Sequence, residues 1–171
     1  MAGALAITGA GRNIGRAIAL RMAREGWGIA ISDINQESAQ AVAAEIEANG
    51  GRARGDALDV TDADAVSRWV DEVDQDLGGL TGAVANAGII TVGPLLDATP
   101  EDWRRVMAVN LDGTFFFTQA AARRMVERRH GSIVIMASAG SRRASEGLGP
   151  YCTSKTGLHG LTRNLALELI Q

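Results

Sequence analysis

The stretch "ITGAGRNIG", residues 7–15, decides the fold of this chain. A short apolar run, "ALAIT" (4–8), leads into it, and an amphipathic stretch follows with Ile14, Ile18 and Met22 on one helical face. Glycines between a buried strand and a helix let the backbone approach a pyrophosphate, and the helix N-terminus adds free amides and a positive dipole end. We therefore predict a strand, a nucleotide-binding turn and a helix.

The glycine spacing alone does not settle the turn's role. Gly9 and Gly11 fit the general dinucleotide pattern G-x-G-x-x-G, but its third glycine position is occupied by Ile14. Taken by themselves, the glycines also fit a plain turn between a strand and a helix.

Short apolar runs alternate with amphipathic helices along the rest of the chain. The third predicted helix has a clear apolar stripe, formed by Val66, Trp69, Val70, Val73 and Leu77. Further strands are predicted at 27–33, 53–60, 80–88 (with its turn) and 132–138, and later helices from Thr99 to about His130 and from Tyr151 to Ile170. The continuously apolar run 132–138 is expected to be buried on both faces. This alternation predicts an α/β fold: one Rossmann-like domain over 1–171, with a doubly wound parallel sheet in three α/β/α layers.

Composition narrows the function classes. The 171 residues are 46% apolar and 22% charged, with a formal net charge of −3, so the chain is globular and has no basic footprint for nucleic acid. No signal peptide or membrane-spanning run is visible. A single cysteine, Cys152, fits a reducing compartment. We predict a cytoplasmic protein with neither a nucleic-acid nor a membrane partner, and no metal site.

Asp33 closes the second predicted strand, eighteen residues after Gly15. A carboxylate there can accept both hydroxyls of an adenosine ribose and would repel a 2′-phosphate, which favours NAD over NADP. The alternative is a helix cap just after a strand. Arg12 points weakly towards NADP, because a cation in the turn can meet a 2′-phosphate, but a solvated surface arginine is the simpler interpretation.

More polar residues end the later strands. Asp59 ends the third strand, Asn86-Ala87-Gly88 the fourth and Ser138 the fifth. Each alone is ordinary turn or cap chemistry. Their shared position at the carboxyl edge of a parallel sheet, where doubly wound proteins bind ligands, argues for a site.

Tyr151 and Lys155 lie four residues apart at the start of the last predicted helix, so their side chains share a face. A phenol has an ordinary pKa of about 10, and a nearby ammonium favours the phenolate. Tyr151 can then exchange a proton with an alcohol or carbonyl oxygen that Ser138 holds by a hydrogen bond. Singly, such a Tyr/Lys pair is more often a surface feature.

From Ala4 to about Leu169 the chain resembles a classical short-chain dehydrogenase/reductase. The signatures are 8–15 ("TGAGRNIG"), Asp59, Asn86-Ala87-Gly88, Asn110, Ser138, and Tyr151 with Lys155, in the family's order and with its thirteen-residue gap from Ser138 to Tyr151. The resemblance implies hydride transfer between a nicotinamide cofactor and a secondary alcohol or ketone.

The resemblance also implies roles for individual residues. Tyr151 would be the general acid/base, Lys155 would stabilise its phenolate and bind the nicotinamide ribose, and Ser138 would orient the substrate. Asn110 would hold a water in a proton relay; without the resemblance it reads as a buried helix asparagine satisfied by backbone. The implied cofactor-binding set is Gly9, Gly11, Arg12, Asn13, Ile14, Gly15, Asp33, Asp59, Val60, Asn86, Ala87, Gly88, Tyr151 and Lys155.

The resemblance implies a cofactor and an assembly as well. NAD is the expected cofactor, with NADP as the alternative. A homodimer or homotetramer would form through the helices at about 100–130 and 151–170.

Two features depart from the family pattern. The middle glycine of T-G-x-x-x-G-x-G is Asn13, a residue that tolerates left-handed backbone angles. Family members also continue past the last helix with two strands, a helix and a substrate loop, so we expect a truncated or fragmentary chain whose fifth strand is an exposed edge. A truncated, non-catalytic nucleotide-binding or subunit-interaction protein is therefore the alternative function.

Part of the substrate pocket is expected to be lined by Leu95, Ser138–Arg143 and Gly147–Gly149. These residues do not indicate which substrate binds: sugar alcohols, small diols, 3-hydroxyacyl thioesters and steroid-like alcohols are all candidates.

Overall fold

The computed structural model describes residues 3–170 and has one five-stranded, all-parallel sheet. The strands are β1 (Ala4–Thr8), β2 (Gly28–Asp33), β3 (Arg52–Ala57), β4 (Leu80–Ala85) and β5 (Ser132–Ile135). Their order across the sheet is β3-β2-β1-β4-β5, so the strand order reverses beside β1. Such a reversal opens a crevice at the carboxyl ends of the strands. The predicted doubly wound, Rossmann-like fold is confirmed.

One or two helices follow each strand. They are α1 (Asn13–Arg24), α2 (Gln36–Ala48), α3 (Ala63–Asp76), α4 (Pro100–Met107), α5 (Gly113–Arg128) and α6 (Gly149–Leu169). Asn35, Asp62 and Thr99 cap α2, α3 and α4 with side-chain oxygens, as their short polar side chains favour. In the described range, 3–170, no helix has the length and apolarity needed to cross a membrane.

Two apolar cores lie on opposite faces of the sheet, because alternate residues of each strand point to opposite sides. On β2, Ile29 and Ile31 enter the core with α1 and α2, whereas Ala30 enters the core with α3 and α5. The second core includes Trp69 against the fully buried Phe117, with ring centroids 6.0 Å apart. All five residues of the predicted α3 stripe are buried there.

Some predicted details are wrong, each for a packing reason. Ile14 is 59% exposed, because α1 turns the small residues Gly15 and Ala19 towards the sheet and so packs closely on it. The third strand ends at Ala57 rather than at residue 60. The long helix predicted from 99 to 130 is interrupted between α4 and α5 by a π-helical turn, Ala108–Asp112.

The fifth strand also differs from its prediction. β5 ends at Ile135, and Val134 is 50% exposed instead of buried on both faces. Within residues 3–170, β5 pairs only with β4, so it forms one edge of the described sheet. An apolar groove of about 670 Å³ lies beside it, between the C-terminal halves of α5 and α6. None of the predicted site residues lines this groove.

Candidate active site

The glycine turn after β1 lies unusually close to the turn after β4. Gly9 has a left-handed φ of +62°, and a Cβ there would lie 2.7 Å from the Cα of Ala87. A Cβ on Gly15 would lie 2.6 Å from the carbonyl oxygen of Gly9. Any larger residue at either position would push the two turns apart. The turn therefore needs these glycines to keep its shape.

Asn86 fixes the same turn from β4. Its Nδ2 donates to the carbonyl oxygens of Thr8 and Gly9 at 3.1 and 2.8 Å. The Thr8 hydroxyl accepts in return from the backbone amides of Asn86 and Ala87 at 3.1 and 3.2 Å. These hydrogen bonds hold the glycine turn in place, so Asn86 would affect cofactor binding through the shape of that turn.

The start of α1 has the properties of an anion site. Arg12 is the N-cap residue, and its side chain makes no capping hydrogen bond. The first amides of an α-helix have no partner within the helix, and the dipole favours negative charge there. Asn13 adopts a left-handed φ of +51°, a conformation that asparagine tolerates better than most residues other than glycine. The uncapped helix start therefore offers backbone amides that could hold an anion such as a pyrophosphate.

Asp33 lies against the glycine turn, not on a helix cap. Its Oδ2 accepts from the Gly11 amide at 3.0 Å and its Oδ1 from the Asn35 amide at 3.1 Å. The cap of α2 is Asn35, whose Oδ1 accepts from the Ser38 amide at 2.8 Å. The helix-cap alternative for Asp33 is therefore wrong, and a half-buried carboxylate borders the predicted nucleotide site.

Asp59 and Val60 follow β3 at the same edge. One oxygen of Asp59 accepts from both the amide and the hydroxyl of Thr61, at 2.9 and 2.8 Å, which closes a tight turn. Val60 is buried, and a Cβ on Gly113 would lie 2.8 Å from its Cγ2. The Val60 side chain thus packs against α5, which leaves only its backbone for a cofactor.

Ser138 and Tyr151 approach each other across Gly140. A Cβ at Gly140 would lie 3.5 Å from the Ser138 Oγ and 3.9 Å from Cε1 of Tyr151. The Ser138 Oγ accepts from the Gly140 amide at 3.1 Å, so its own hydrogen is free to point at a ligand. The structure therefore brings this hydroxyl and the Tyr151 ring to one place, although they come from β5's exit and α6.

Lys155, the single lysine among the 171 residues, is buried at the base of this site. Its Nζ donates to the Met136 carbonyl oxygen at 2.7 Å and lies 6.0 Å from the centroid of the Tyr151 ring. A Cβ on Gly88 would come within 3.4 Å of this Nζ. Burial lowers the pKa of Lys155, because the charged ammonium loses hydration.

Asn110 joins the site from the π-helical turn and is fully buried. Its Nδ2 donates to the Ile89 carbonyl oxygen at 2.9 Å and to the Ser154 hydroxyl at 3.0 Å, and its Oδ1 accepts from the Ile89 amide at 2.8 Å. The bonds to Ile89 match the interpretation of a buried asparagine satisfied by backbone. The water-relay role stays a prediction.

Sequence reasoning missed three partners in this network: the Met136 carbonyl, the backbone of Ile89 and the Ser154 hydroxyl. Ser154 alone carried a signal, because it lies three residues after Tyr151 on a helix and so near the same face. The other two partners are backbone groups, which nearly every residue has, so the amino-acid sequence does not indicate which of them will form these bonds.

Comparison with known proteins agrees with this geometry. The family model described as short chain dehydrogenase matches residues 4–171. Similar proteins include a sorbitol dehydrogenase of Cereibacter sphaeroides, 42% identical over 96% of this chain, and a D-threitol dehydrogenase of Mycolicibacterium smegmatis, 40% identical over 95%. The chain spans 64% and 62% of the length of these two relatives.

A solved structure shows the same likeness. An NAD+-bound xylitol dehydrogenase superimposes with a TM-score of 0.95 and 36% identity, over 98% of this chain and 65% of that one. Sequence, fold and site thus agree, and this chain belongs to the short-chain dehydrogenase family.

Proposed function

We propose that the protein carrying this sequence is an NAD-dependent oxidoreductase that interconverts a secondary alcohol and its ketone. The observation that carries the proposal is the meeting of the Ser138 hydroxyl, the Tyr151 ring and the Lys155 ammonium at the carboxyl edge of the sheet. This edge also holds the glycine turn and the uncapped start of α1, which suit a dinucleotide. The bound nicotinamide would accept or supply the hydride.

The chain's own residues account for the proton. During oxidation of the alcohol, the alcohol oxygen would lose its proton to the Tyr151 phenolate as the carbon gives up its hydride. Ser138 donates a hydrogen bond to the same oxygen and holds it in place. The Lys155 ammonium stabilises the phenolate that this step requires. Reduction of the ketone follows the same path backwards, with Tyr151 as the acid.

We propose polyols as the substrate class. Sorbitol, D-threitol and xylitol appear in the names of similar proteins, and all three are open-chain sugar alcohols. The site is compatible with a hydroxylated substrate, since polar groups such as Ser138 border it. We also propose NAD over NADP, because the Asp33 carboxylate lies at the glycine turn and would repel a 2′-phosphate.

Further proposals concern assembly and compartment. We propose self-association through α4–α5 and α6, because these helices carry exposed apolar side chains, among them Phe115 (39% exposed) and Leu167 (72% exposed). Light scattering coupled to size exclusion tests this. We place the protein in the cytoplasm, where its free Cys152 would stay reduced.

The test is a turnover assay of the full-length protein with a panel of polyols and either NAD⁺ or NADP⁺, followed by the absorbance of the reduced nicotinamide. We expect turnover of at least one polyol with NAD⁺, and its loss by at least 10³-fold in Tyr151→Phe, since the phenol is the proton acceptor. NADH binding should stay nearly intact in that variant. Cofactor binding by the wild type without turnover of any alcohol would favour the non-catalytic alternative.

A further inference from the structure

Ser141 and His159 form a side-chain hydrogen bond that the proposed chemistry does not use. The Oγ of Ser141 lies 2.7 Å from Nε2 of His159. Ser141 ends the 3₁₀ turn Ala139–Ser141 directly after Ser138, and His159 lies on α6, four residues after Lys155. The pair therefore connects the segment that carries one proposed catalytic residue to the helix that carries the other two.

The same serine also contacts Ser138 directly. Its Oγ donates to the Ser138 carbonyl oxygen. A hydroxyl has one hydrogen, so once that hydrogen is donated to the carbonyl, Ser141 can only accept from the imidazole. Nε2 of His159 must then carry a proton. Both the cationic imidazole and one neutral tautomer satisfy this, so the bond does not depend on the charge of His159.

The turn also packs against the same helix. The Thr156 hydroxyl lies 3.3 Å from the Ser141 carbonyl oxygen, but its one hydrogen is better placed for the Cys152 carbonyl oxygen at 2.8 Å. Gly140 lies close to α6 as well, since a Cβ there would be 3.0 Å from the Sγ of Cys152. Ser141 is thus bound to the helix through its side chain, and the backbone of the turn packs against the helix.

We propose that His159 is a positioning residue that acts through Ser141 to set the Ser138 hydroxyl relative to Tyr151. This inference rests on the proposed function, in which both hydroxyls must reach one substrate oxygen. Ser138 enters the site from a strand end and Tyr151 from a helix. The Ser141–His159 pair joins a side chain of one segment to a side chain of the other, and both residues are half-buried.

The test compares His159→Gln with His159→Asn in the full-length protein. A glutamine side-chain amide reaches the position of Nε2 and can donate to Ser141, whereas the shorter asparagine amide corresponds to Nδ1 and cannot. We expect His159→Gln to keep kcat within about twofold. His159→Asn and Ser141→Ala should lower kcat by about 10- to 100-fold, the order expected when a catalytic group is misplaced. KM and NADH affinity should change by less than threefold.

The double variant Ser141→Ala/His159→Asn should be no slower than the slower single variant, because both single changes break one link. Equal loss in the glutamine and asparagine variants, or losses that multiply in the double variant, would overturn the proposal. A loss confined to NADH affinity would overturn it too.

A second measurement tests the proposed hydrogen bond without an activity assay, and so applies even if a variant does not fold or the wild type shows no turnover. Nitrogen-15 NMR of the wild type should show a slowly exchanging His159 Nε2–H, assigned by its loss in His159→Gln and distinguished from His130 by a His130→Gln control. This signal should broaden or disappear in Ser141→Ala. A wild type without alcohol turnover would contradict the proposed function alone, whereas absence of the protected Nε2–H would contradict the positioning pair alone.

Discussion

The Asn110 side chain makes two hydrogen bonds to the backbone of Ile89: its Oδ1 accepts from the Ile89 amide at 2.8 Å, and its Nδ2 donates to the Ile89 carbonyl at 2.9 Å. Ile89 follows the Asn86-Ala87-Gly88 turn, so these two bonds fix the loop that leaves β4 beside Lys155. The π-helical turn Ala108–Asp112 supplies the asparagine, and the Asn110 carbonyl accepts from the Thr114 hydroxyl at 2.8 Å. Asn110 thereby joins the long helix to the edge of the sheet.

Asn110→Ala should destabilise the protein because it leaves the Ile89 amide and carbonyl without partners. An unsatisfied buried polar group costs roughly 1–3 kcal/mol, so we expect a loss of about 2–4 kcal/mol in the free energy of unfolding, measured by urea titration. Ser154→Ala is the matched control, since it removes one of the three Asn110 bonds together with the Ser154 bond to the Tyr151 carbonyl oxygen, leaves both Ile89 groups paired, and should cost about 1 kcal/mol. Unfolding free energies that agree within 0.5 kcal/mol between the two variants would contradict this account.

The order of elements followed from the sequence because its signals are local. The α3 stripe and the helix start at Thr99 each depend on residues within a few turns, and the structure confirms them. Ile14 shows where local periodicity fails. An apolar residue at helical spacing was expected inside, but the small Gly15 and Ala19 allow closer helix–sheet contact and take that place.

The site was partly predictable for the same reason. Ser138, Tyr151 and Lys155 can be recognised in the sequence by their side chains, and the strand ends of a parallel sheet converge at one edge. Their backbone partners cannot be recognised in this way: the carbonyl group of Met136, which accepts from Lys155, is the same in every residue type. The π-helical turn that buries Asn110 was also hidden, because the amphipathic pattern continues through it.

The buried ammonium of Lys155 should make stability depend on alkaline pH. Burial lowers its pKa in the folded state below the ordinary value of about 10, so over the interval between the two values the unfolded chain binds more protons. Stability from this group therefore rises with pH through the lowered pKa and levels off above the ordinary one. Urea unfolding at a series of pH values should show this rise in the wild type.

Lys155→Met removes the titrating group and should flatten that rise, because methionine keeps much of the stem and carries no proton. The pKa of Lys155 can also be measured directly by NMR with carbon-13 at lysine Cε, since the 171 residues contain one lysine and so give one signal. A Lys155 resonance that titrates at or above the ordinary value, or an unchanged slope in Lys155→Met, would count against a desolvated ammonium.

Asp33→Asn should weaken the preference for NADH that we propose. The carboxylate borders the glycine turn at the Gly11 amide, and an uncharged amide neither repels a 2′-phosphate nor accepts as strongly from ribose hydroxyls. We expect the ratio of the Kd for NADPH to that for NADH to fall by about tenfold or more in a fluorescence titration. Glu101→Gln, an exposed carboxylate on α4, should leave the ratio unchanged. Equal ratios in the wild type and Asp33→Asn would remove Asp33 from cofactor choice.

Asn13→Ala should destabilise the glycine turn, because residue 13 has a φ of +51° and a Cβ in the left-handed region costs about 1–2 kcal/mol for residues other than glycine and asparagine. Asn13→Gly should stay within about 1 kcal/mol of the wild type, since glycine adopts this conformation freely but loses more entropy on folding. The matched control is Asn49→Ala at the end of α2, where φ is −97° and no such cost arises. The measurement is urea unfolding, paired with NADH titration of each variant. Full NADH affinity in Asn13→Gly would show that the residue serves the backbone path alone, whereas a tenfold loss with unchanged stability would show that its amide also contacts the cofactor.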